Sequence, residues 1–530
     1  MVERPRRHRR RCADVKERLV FLALILACLV PIWAVDYLPT VDGPCHTYNA
    51  WIIRQHGNSK EYPQLSRQYV IDWRPIPNWL GHAVMALLMF VFDPRVAEKI
   101  LVSGYVVLFP AAARYAAGAV DPARKWLGSL AFPLVYNQLF QLGFYNFSYS
   151  LAFWLFAVGY WWRRRESPDA GFAVRINLLL LLCWFCHIVS LALALFAIGV
   201  LWLVALWRVR RTHWKRHLLH ILILIPQIIL PLWFVMGQPG GAVPAGWSLE
   251  MLLSFLFRFE VLLYFGSPQL WIGRILGLVF LLFLVLTLTG RFRSGLREED
   301  GFLLLSLLLV AAYFVSPEGM SGGGLLKQRL ALYPWLALLP WLAPRFPERW
   351  GPPARAALIG ALAALAFWSA GYVWRQYQAI QPALQAYLRP AEQIRPNSRV
   401  LPLLSDGGPY GFYGHLFSYA AIGKGLVDWN NYEAGTRLFP TRFHHGRHAF
   451  WWIARDAEGI DVRSPDLKAR VDYVYTWGLN PASLQARHLR RHYRLVYEEE
   501  PARIYRPKRG FKDGKDITDN QRPAGASLRP

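Results

Sequence analysis

The chain has 530 residues, of which 54% are hydrophobic and 18% charged, with 24 Trp and a formal net charge of +26; its mean hydropathy is +0.20. Soluble proteins carry about a quarter charged residues, so these figures exclude an ordinary soluble enzyme and point to a polytopic membrane protein. The positive charge does not indicate nucleic acid, because the arginines fall in short loops between apolar runs rather than in one patch. That distribution follows the positive-inside rule and suits anionic lipid head groups.

Residues 1–18 hold eight Arg or Lys against three acids and read as a basic cytoplasmic arm. The apolar run Leu19–Val35 follows without an A-x-A-like cleavage site, so it reads as a retained first span rather than a signal peptide. A long loop, 36–96, then emerges on the far face and opens with Val41-Asp42-Gly43-Pro44-Cys45-His46. Thr47–Gln55 is expected as a short interfacial helix. Asn78–Phe92 is marginal in length for a crossing. It is placed in the interface because that choice keeps Arg163, Arg164 and Arg165 in the cytoplasm.

Further spans are expected near 97–117, 126–142, 145–162, 172–188, 190–208, 218–236, 269–290, 301–316, 330–344 and 354–375, about eleven in all. The loops assigned to the cytoplasm then carry Arg124 and Lys125, Arg163–Arg165, Arg208–Arg216, Arg291–Arg297 and Arg345–Arg355, while the outer loop Gly237–Ser248 has no charge. Leu249–Phe265 is amphipathic, carries Arg258 and Glu260, and is expected along the membrane surface. Ser316–Gln328 is glycine-rich and leads to Lys327 and Arg329 at the head of the next span.

From 376 to 506 the pattern is that of a small α/β domain. Strands are expected at Arg399–Leu404 and Val471–Trp477, helices at Tyr413–Ile422 and Ser483–Tyr493, and a hairpin from Leu495–Tyr497 and Ala502–Tyr505. Residues 507–530 are polar and expected to be disordered. Cys183 and Cys186 lie in an apolar run with no preceding strand and read as buried thiols rather than a redox pair. The run His444-His445-Gly446-Arg447-His448 has no carboxylate at ligand spacing and is not assigned to a metal.

Charged groups at the membrane surface need a reason to be there. Asp42 and His46 offer an acid/base site. Arg258, Lys327 and Arg329 offer cations for an anionic donor group, and Asp72, Arg74 and His82 a secondary, acceptor-side set. Each has a plain alternative: Asp-Gly-Pro is a turn sequence, His46 stands at a helix start, and Lys327 and Arg329 can snorkel to head groups.

The layout of a first span, Asp42-Gly-Pro-Cys-His46 in a long outer loop, many spans and an outer domain resembles the GT-C family of integral-membrane glycosyltransferases. The resemblance implies an α-helical polytopic membrane protein with a small C-terminal extracytoplasmic α/β domain. It implies transfer of a sugar from a polyprenyl-phosphate-linked donor to a glycan, lipid or protein acceptor, with inversion and an acid of the first loop as base. Many relatives pair that acid with a second one to hold a divalent metal. No such pair stands near Asp42, which counts against a metal requirement; no metal ligand is assigned, and a divalent metal is left open as a cofactor. Arg-rich, Lys-poor usage adds a bacterial inner membrane with a periplasmic active face. The competing readings are a lipid flippase or transporter, which would call for inverted repeats and mid-membrane acids, and a non-catalytic membrane scaffold.

Overall fold

The computed structural model describes residues 3–209, 214–237, 240–244, 246–291, 296–320, 323–346, 351–444 and 462–508. Among these, five helices are long and apolar enough to cross a membrane: Pro94–Val120, Ile188–Trp207, Lys215–Met236, Ser267–Arg291 and Gly351–Gln393. Glu3–Trp33, Tyr145–Arg164, Ala170–Cys186 and Gly301–Val315 complete the helical body. Large apolar side chains such as Leu26, Leu178, Leu203, Leu232 and Leu278 stay exposed, as expected of surface that faces lipid. Pro94–Val120 packs on Tyr145–Arg164. A Cβ on Gly159 would stand 3.0 Å from Ala116 Cα, so a small residue is needed where the two backbones cross.

Two expected spans are not continuous α-helices. In 126–142 a 3-10 helix, Pro122–Leu134, is followed only by the short helix Gln138–Gln141. In 330–344 the helix Tyr333–Leu338 has six residues. Pro133, Pro334 and Pro340 remove amide donors from these segments. Trp126–Leu134 and Tyr333–Leu338 are almost wholly buried, so they are apolar because protein covers them. The last long helix, Gly351–Leu388, runs well past the boundary expected at 375. The basic arm is not separate either, since the first helix begins at Glu3.

The loops assigned to the cytoplasm meet on one face. Arg124 pairs with Glu299 at 2.9 Å and Arg165 with Glu298 at 2.8 Å. Arg291 pairs with Glu299 and Asp300. Glu17, in the first helix, pairs with Arg114 and Arg355. At the other end of that helix, Gln381 donates to the Tyr37 carbonyl and accepts from the Asp36 and Tyr37 amides, which places the first loop beside the C-terminal domain.

That domain is a five-stranded mixed sheet in the order Val427–Asp428, Arg399–Leu404, Tyr473–Trp477, Ala502–Pro507, Tyr493–Glu499, with parallel pairing on the first side and antiparallel on the second. The helix Leu484–His492 is N-capped by Ser483, whose hydroxyl accepts from the Ala486 amide at 3.1 Å. The expected helix at Tyr413–Ile422 is instead a 3-10 turn, Pro409–Gly414, and a short helix, Phe417–Ala421. Gly414, inside the expected helix, weakens it. Tyr69–Ile71, from the first loop, pairs antiparallel with Thr441–Phe443 and stitches loop and domain together. Cys183 and Cys186 are buried free thiols. His445 and His448, and most of the tail after 507, lie outside the described residues.

Candidate functional site

Asp42 stands at the N-cap position of the helix Gly43–Arg54. Its carboxylate makes no capping hydrogen bond to that helix, unlike an ordinary N-cap aspartate. Instead Tyr432 Oη donates to Asp42 Oδ2 at 2.9 Å, and His415 Nε2 lies 3.7 Å from Oδ1. The residue is 8% exposed. Its backbone is fixed from behind, because the Val41 and Asp42 amides donate to the carbonyls of Gln141 and Leu142 at 3.2 and 3.0 Å.

Gly143 makes this approach feasible. Its φ is +86°, and a Cβ there would lie 2.6 Å from Gly43 N and 2.7 Å from Asp42 N. Such a contact has to be relieved by moving backbone. Gly143→Ala is therefore expected to displace Asp42 and, if that carboxylate acts in a reaction, to cut turnover by roughly 10–100-fold, the cost of misplacing a reacting group by about an ångström. Turnover measured alongside retained membrane expression checks this, and full activity would mean that Asp42 need not be held here.

Tyr432 is brought to Asp42 by contacts between the helix Gly43–Arg54 and the C-terminal domain. Asn49 and Asn431 exchange amide hydrogen bonds at 3.0 and 2.8 Å. Tyr48 Oη donates to the Leu426 carbonyl at 2.5 Å and Tyr69 Oη to that of Asp428 at 3.1 Å. Asp428 itself is fully buried. It accepts from Ser418 Oγ and the Asn430 amide, both at 2.8 Å, yet burial still pushes its carboxyl up to about 6. A folded value above the ordinary 3.8 means that the stability it contributes is complete at low pH and is lost as pH rises through about 6. Asp428→Asn keeps the shape, and the Ser418 hydroxyl can reverse its hydrogen bond. The variant is expected to melt higher near neutral pH, by on the order of 1–3 kcal/mol, and the gain should vanish in acid. Thermal unfolding at the two pH values checks the sign.

His46 follows Asp42 by one helical turn, and its amide donates to the Asp42 carbonyl at 2.9 Å. Its ring, however, faces Glu433 and His82. His46 Nδ1 contacts Glu433 Oε1, His82 Nε2 lies 2.7 Å from Glu433 Oε2, and the two imidazole centroids are 5.2 Å apart. Burial alone would raise the Glu433 carboxyl, but the two imidazoles prevail and hold it down at about 2. Burial likewise opposes charge on His46, and the neighbouring Glu433 overcomes it, raising that imidazole. The expected pairing of the His46 ring with Asp42 is thus replaced by one with Glu433. His82, expected on the acceptor side, belongs to the same cluster.

The three candidate cations are not equivalent. Lys327 Nζ donates to the carbonyls of Tyr313 and Phe314 at 3.1 and 3.2 Å, so it caps the helix Gly301–Val315. Arg258 is exposed at the end of the helix Leu249–Phe257. Asp42 is among the groups whose charge acts on the Arg329 guanidinium, after Tyr333 and Tyr432. That guanidinium sits over the rings of Phe144 and Phe147, at 4.8 and 5.5 Å, and contacts His187 Nε2. Nε is buried without a hydrogen-bond partner. Among the described residues no carboxylate forms an ion pair with it. Burial pulls its pKa down to about 10, which leaves it cationic at neutral pH.

Asp72 accepts from Arg74 Nε and Nη2 at 2.8 and 2.7 Å and also pairs with Arg442. Arg74 and Arg442, with Arg437, line a cavity of ≈ 500 Å³ walled by Trp233 and Phe234 and floored by Ala434–Thr436. This cavity lies one residue beyond Glu433. Sequence reading missed Tyr432, Glu433 and His415. It also missed Glu98, which accepts from Tyr145 and Tyr419 at 2.7 and 2.5 Å beneath Gly43. The run Asp428-Trp-Asn-Asn-Tyr-Glu433, dense in hydrogen-bonding side chains after a short strand, was the available signal.

No family model matches the chain, and no curated protein matches it. Among solved structures it is similar to ArnT. That structure is the crystal structure of ArnT from Cupriavidus metallidurans bound to undecaprenyl phosphate. The alignment covers 92% of this chain and 97% of that one, at 13% identity and a TM-score of 0.44.

Proposed function

We propose that this chain is a membrane glycosyltransferase that takes its sugar from a polyprenyl-phosphate-linked donor. Asp42 accepts the proton of an acceptor hydroxyl or amine. The acceptor atom then bonds to the anomeric carbon as the carbon–oxygen bond to the lipid phosphate breaks on the opposite face, so the product is inverted. The electron pair of the broken bond leaves with polyprenyl phosphate, whose growing charge is met by Arg329. Tyr432 orients Asp42, and the cavity beside Arg74 and Arg437 admits the acceptor. In this reading His46 and His82 hold the site together through Glu433, and Lys327 and Arg258 stand outside it. The active face is the periplasmic one, and the donor lipid lies among the spans.

The observation that carries the proposal is the half-buried guanidinium of Arg329, with which no carboxylate forms an ion pair among the described residues and whose Nε is buried without a hydrogen-bond partner. Asp42, engaged by Tyr432 and His415 rather than by its own helix, acts on that guanidinium electrostatically. Buried charges ordinarily have partners, and a phosphate beside Arg329 would supply one. The test is reconstitution with a polyprenyl-phosphate sugar and a crude envelope acceptor. The expected result is release of polyprenyl phosphate in step with sugar transfer, and an inverted anomeric linkage. Movement of the intact donor across the bilayer, with the sugar–phosphate bond uncut, would establish the flippase reading in its place.

A further inference from the structure

We propose that His46, His82 and Glu433 form a site for one resident divalent cation, of which zinc fits best, and that this ion ties the first loop to the C-terminal domain. The inference concerns occupancy and holds whatever reaction the chain performs. One ligand atom from each residue lies within 4.8 Å of the others. The three side chains are buried, with residue exposures of 4%, 0% and 0%. Two imidazole nitrogens and a carboxylate are the donors borderline divalent ions prefer, and three protein ligands leave a fourth position for water.

The surroundings of the cluster suit a cation. His82 Nδ1 lies 2.9 Å from the Asn78 carbonyl. A carbonyl only accepts, so Nδ1 carries a proton there and Nε2 is the atom turned to Glu433, 2.7 Å from Oε2. Second-shell bonds of this kind orient metal-binding histidines. His46 Nδ1 and Glu433 Oε1 are in direct contact, and both atoms are buried with no other hydrogen-bond partner. A divalent cation between the two imidazoles and the carboxylate would take the place of the protons that otherwise join them. Ligands about 2.0–2.1 Å from a tetrahedral zinc stand roughly 3.3 Å apart, between the 2.7 Å separating His82 from Glu433 and the 4.8 Å that bounds the whole set.

The location gives the ion a structural purpose. His46 lies on the helix that starts at Asp42, His82 on the helix Trp79–Leu88, and Glu433 next to Tyr432, which holds Asp42. No single element supplies two ligands, so the ion joins three segments distant in sequence. The absence of an acid pair near Asp42 argued against a metal from sequence alone. The ligands here are instead two histidines and an acid far down the chain.

The test uses the full chain in detergent. Purified protein is expected to hold, or to take up after chelation, about one zinc per chain by elemental analysis, with a higher melting temperature on re-addition. His82→Gln and Glu433→Gln are each expected to lower stoichiometry at least tenfold and to abolish the shift. Replacing His444, His445 and His448 together by alanine should change neither. Should the ligand variants fail to fold, cobalt(II) added to stripped wild-type protein gives the second reading, as visible d–d bands of a four- or five-coordinate site. Absence of bound metal, of a melting shift and of cobalt bands in the wild type, or loss of the ion with the His444 cluster instead, overturns the proposal. The cluster would then be a protonated His–Glu–His bridge.

Discussion

Asp42→Asn is expected to cut sugar transfer by about 10²–10⁴-fold while leaving the protein folded. The carboxamide is isosteric, and its Oδ1 can still accept from Tyr432 Oη, which now lies 2.9 Å from the carboxylate. The backbone bonds from Val41 and Asp42 to the carbonyls of Gln141 and Leu142 do not involve the side chain. What is lost is proton acceptance, since an amide is not a base at neutral pH. General-base contributions are about 10²–10⁴-fold, and a fall of that size is expected in turnover with little change in donor KM, because the carboxylate acts as the proton moves rather than in holding the lipid. Tyr432→Phe is a graded control. It keeps the base and loses one orienting hydrogen bond, so a fall of roughly tenfold or less is expected. If Asp42→Asn keeps more than about a tenth of wild-type turnover, far above that range, the base lies elsewhere. Glu98, buried beneath Gly43 with Tyr145 and Tyr419 as donors, would be examined next.

The sequence made Asp42 conspicuous because the signals there are local. A long apolar run ends, a polar loop begins, and an acid stands before Gly-Pro at a helix start. The strand Arg399–Leu404 and the terminal hairpin were legible for the same reason, since short apolar runs bounded by turn residues can be read along the chain. The partners of Asp42 could not be read in this way. Tyr432 is 390 residues away, and neither its spacing nor its type marks it until the fold brings it back. Glu98 was hidden at the edge of an expected span, where one acid among apolar residues carries no periodic signal.

The errors in the span count have a physical cause. Burial in protein and burial in lipid select the same side chains, so Trp126–Leu134 and Tyr333–Leu338 looked like spans while being covered by neighbouring helices. Lys327 and Arg329 are only two residues apart, and sequence cannot tell which carbonyl or ring each will meet. The fold separates them: one ammonium caps the helix Gly301–Val315, and one guanidinium lies over Phe144 and Phe147 beside His187.

Arg329→Gln is expected to move activity and stability in opposite directions. The guanidinium is half-buried over Phe144 and Phe147, lacks an ion-pair partner among the described residues, and leaves Nε buried without a hydrogen bond. Taking a charge out of water costs up to several kcal/mol before compensation, and here the compensation is a contact with His187 and two aromatic faces. Removing the charge should therefore leave the melting temperature of the free protein unchanged or raise it. Activity should fall, because the departing phosphate loses the cation that meets its charge. Loss of one such electrostatic donor typically costs about 10²–10³-fold, and donor KM should also rise, since the phosphate is already charged in the ground state. Arg329→Lys should recover part of the activity, because an ammonium is a cation without the planar fork. The decisive comparison is the melting shift on adding polyprenyl phosphate, which should be present in the wild type and absent in Arg329→Gln. A variant that is less stable yet still stabilised by the lipid would make Arg329 a packing residue and move the phosphate site elsewhere.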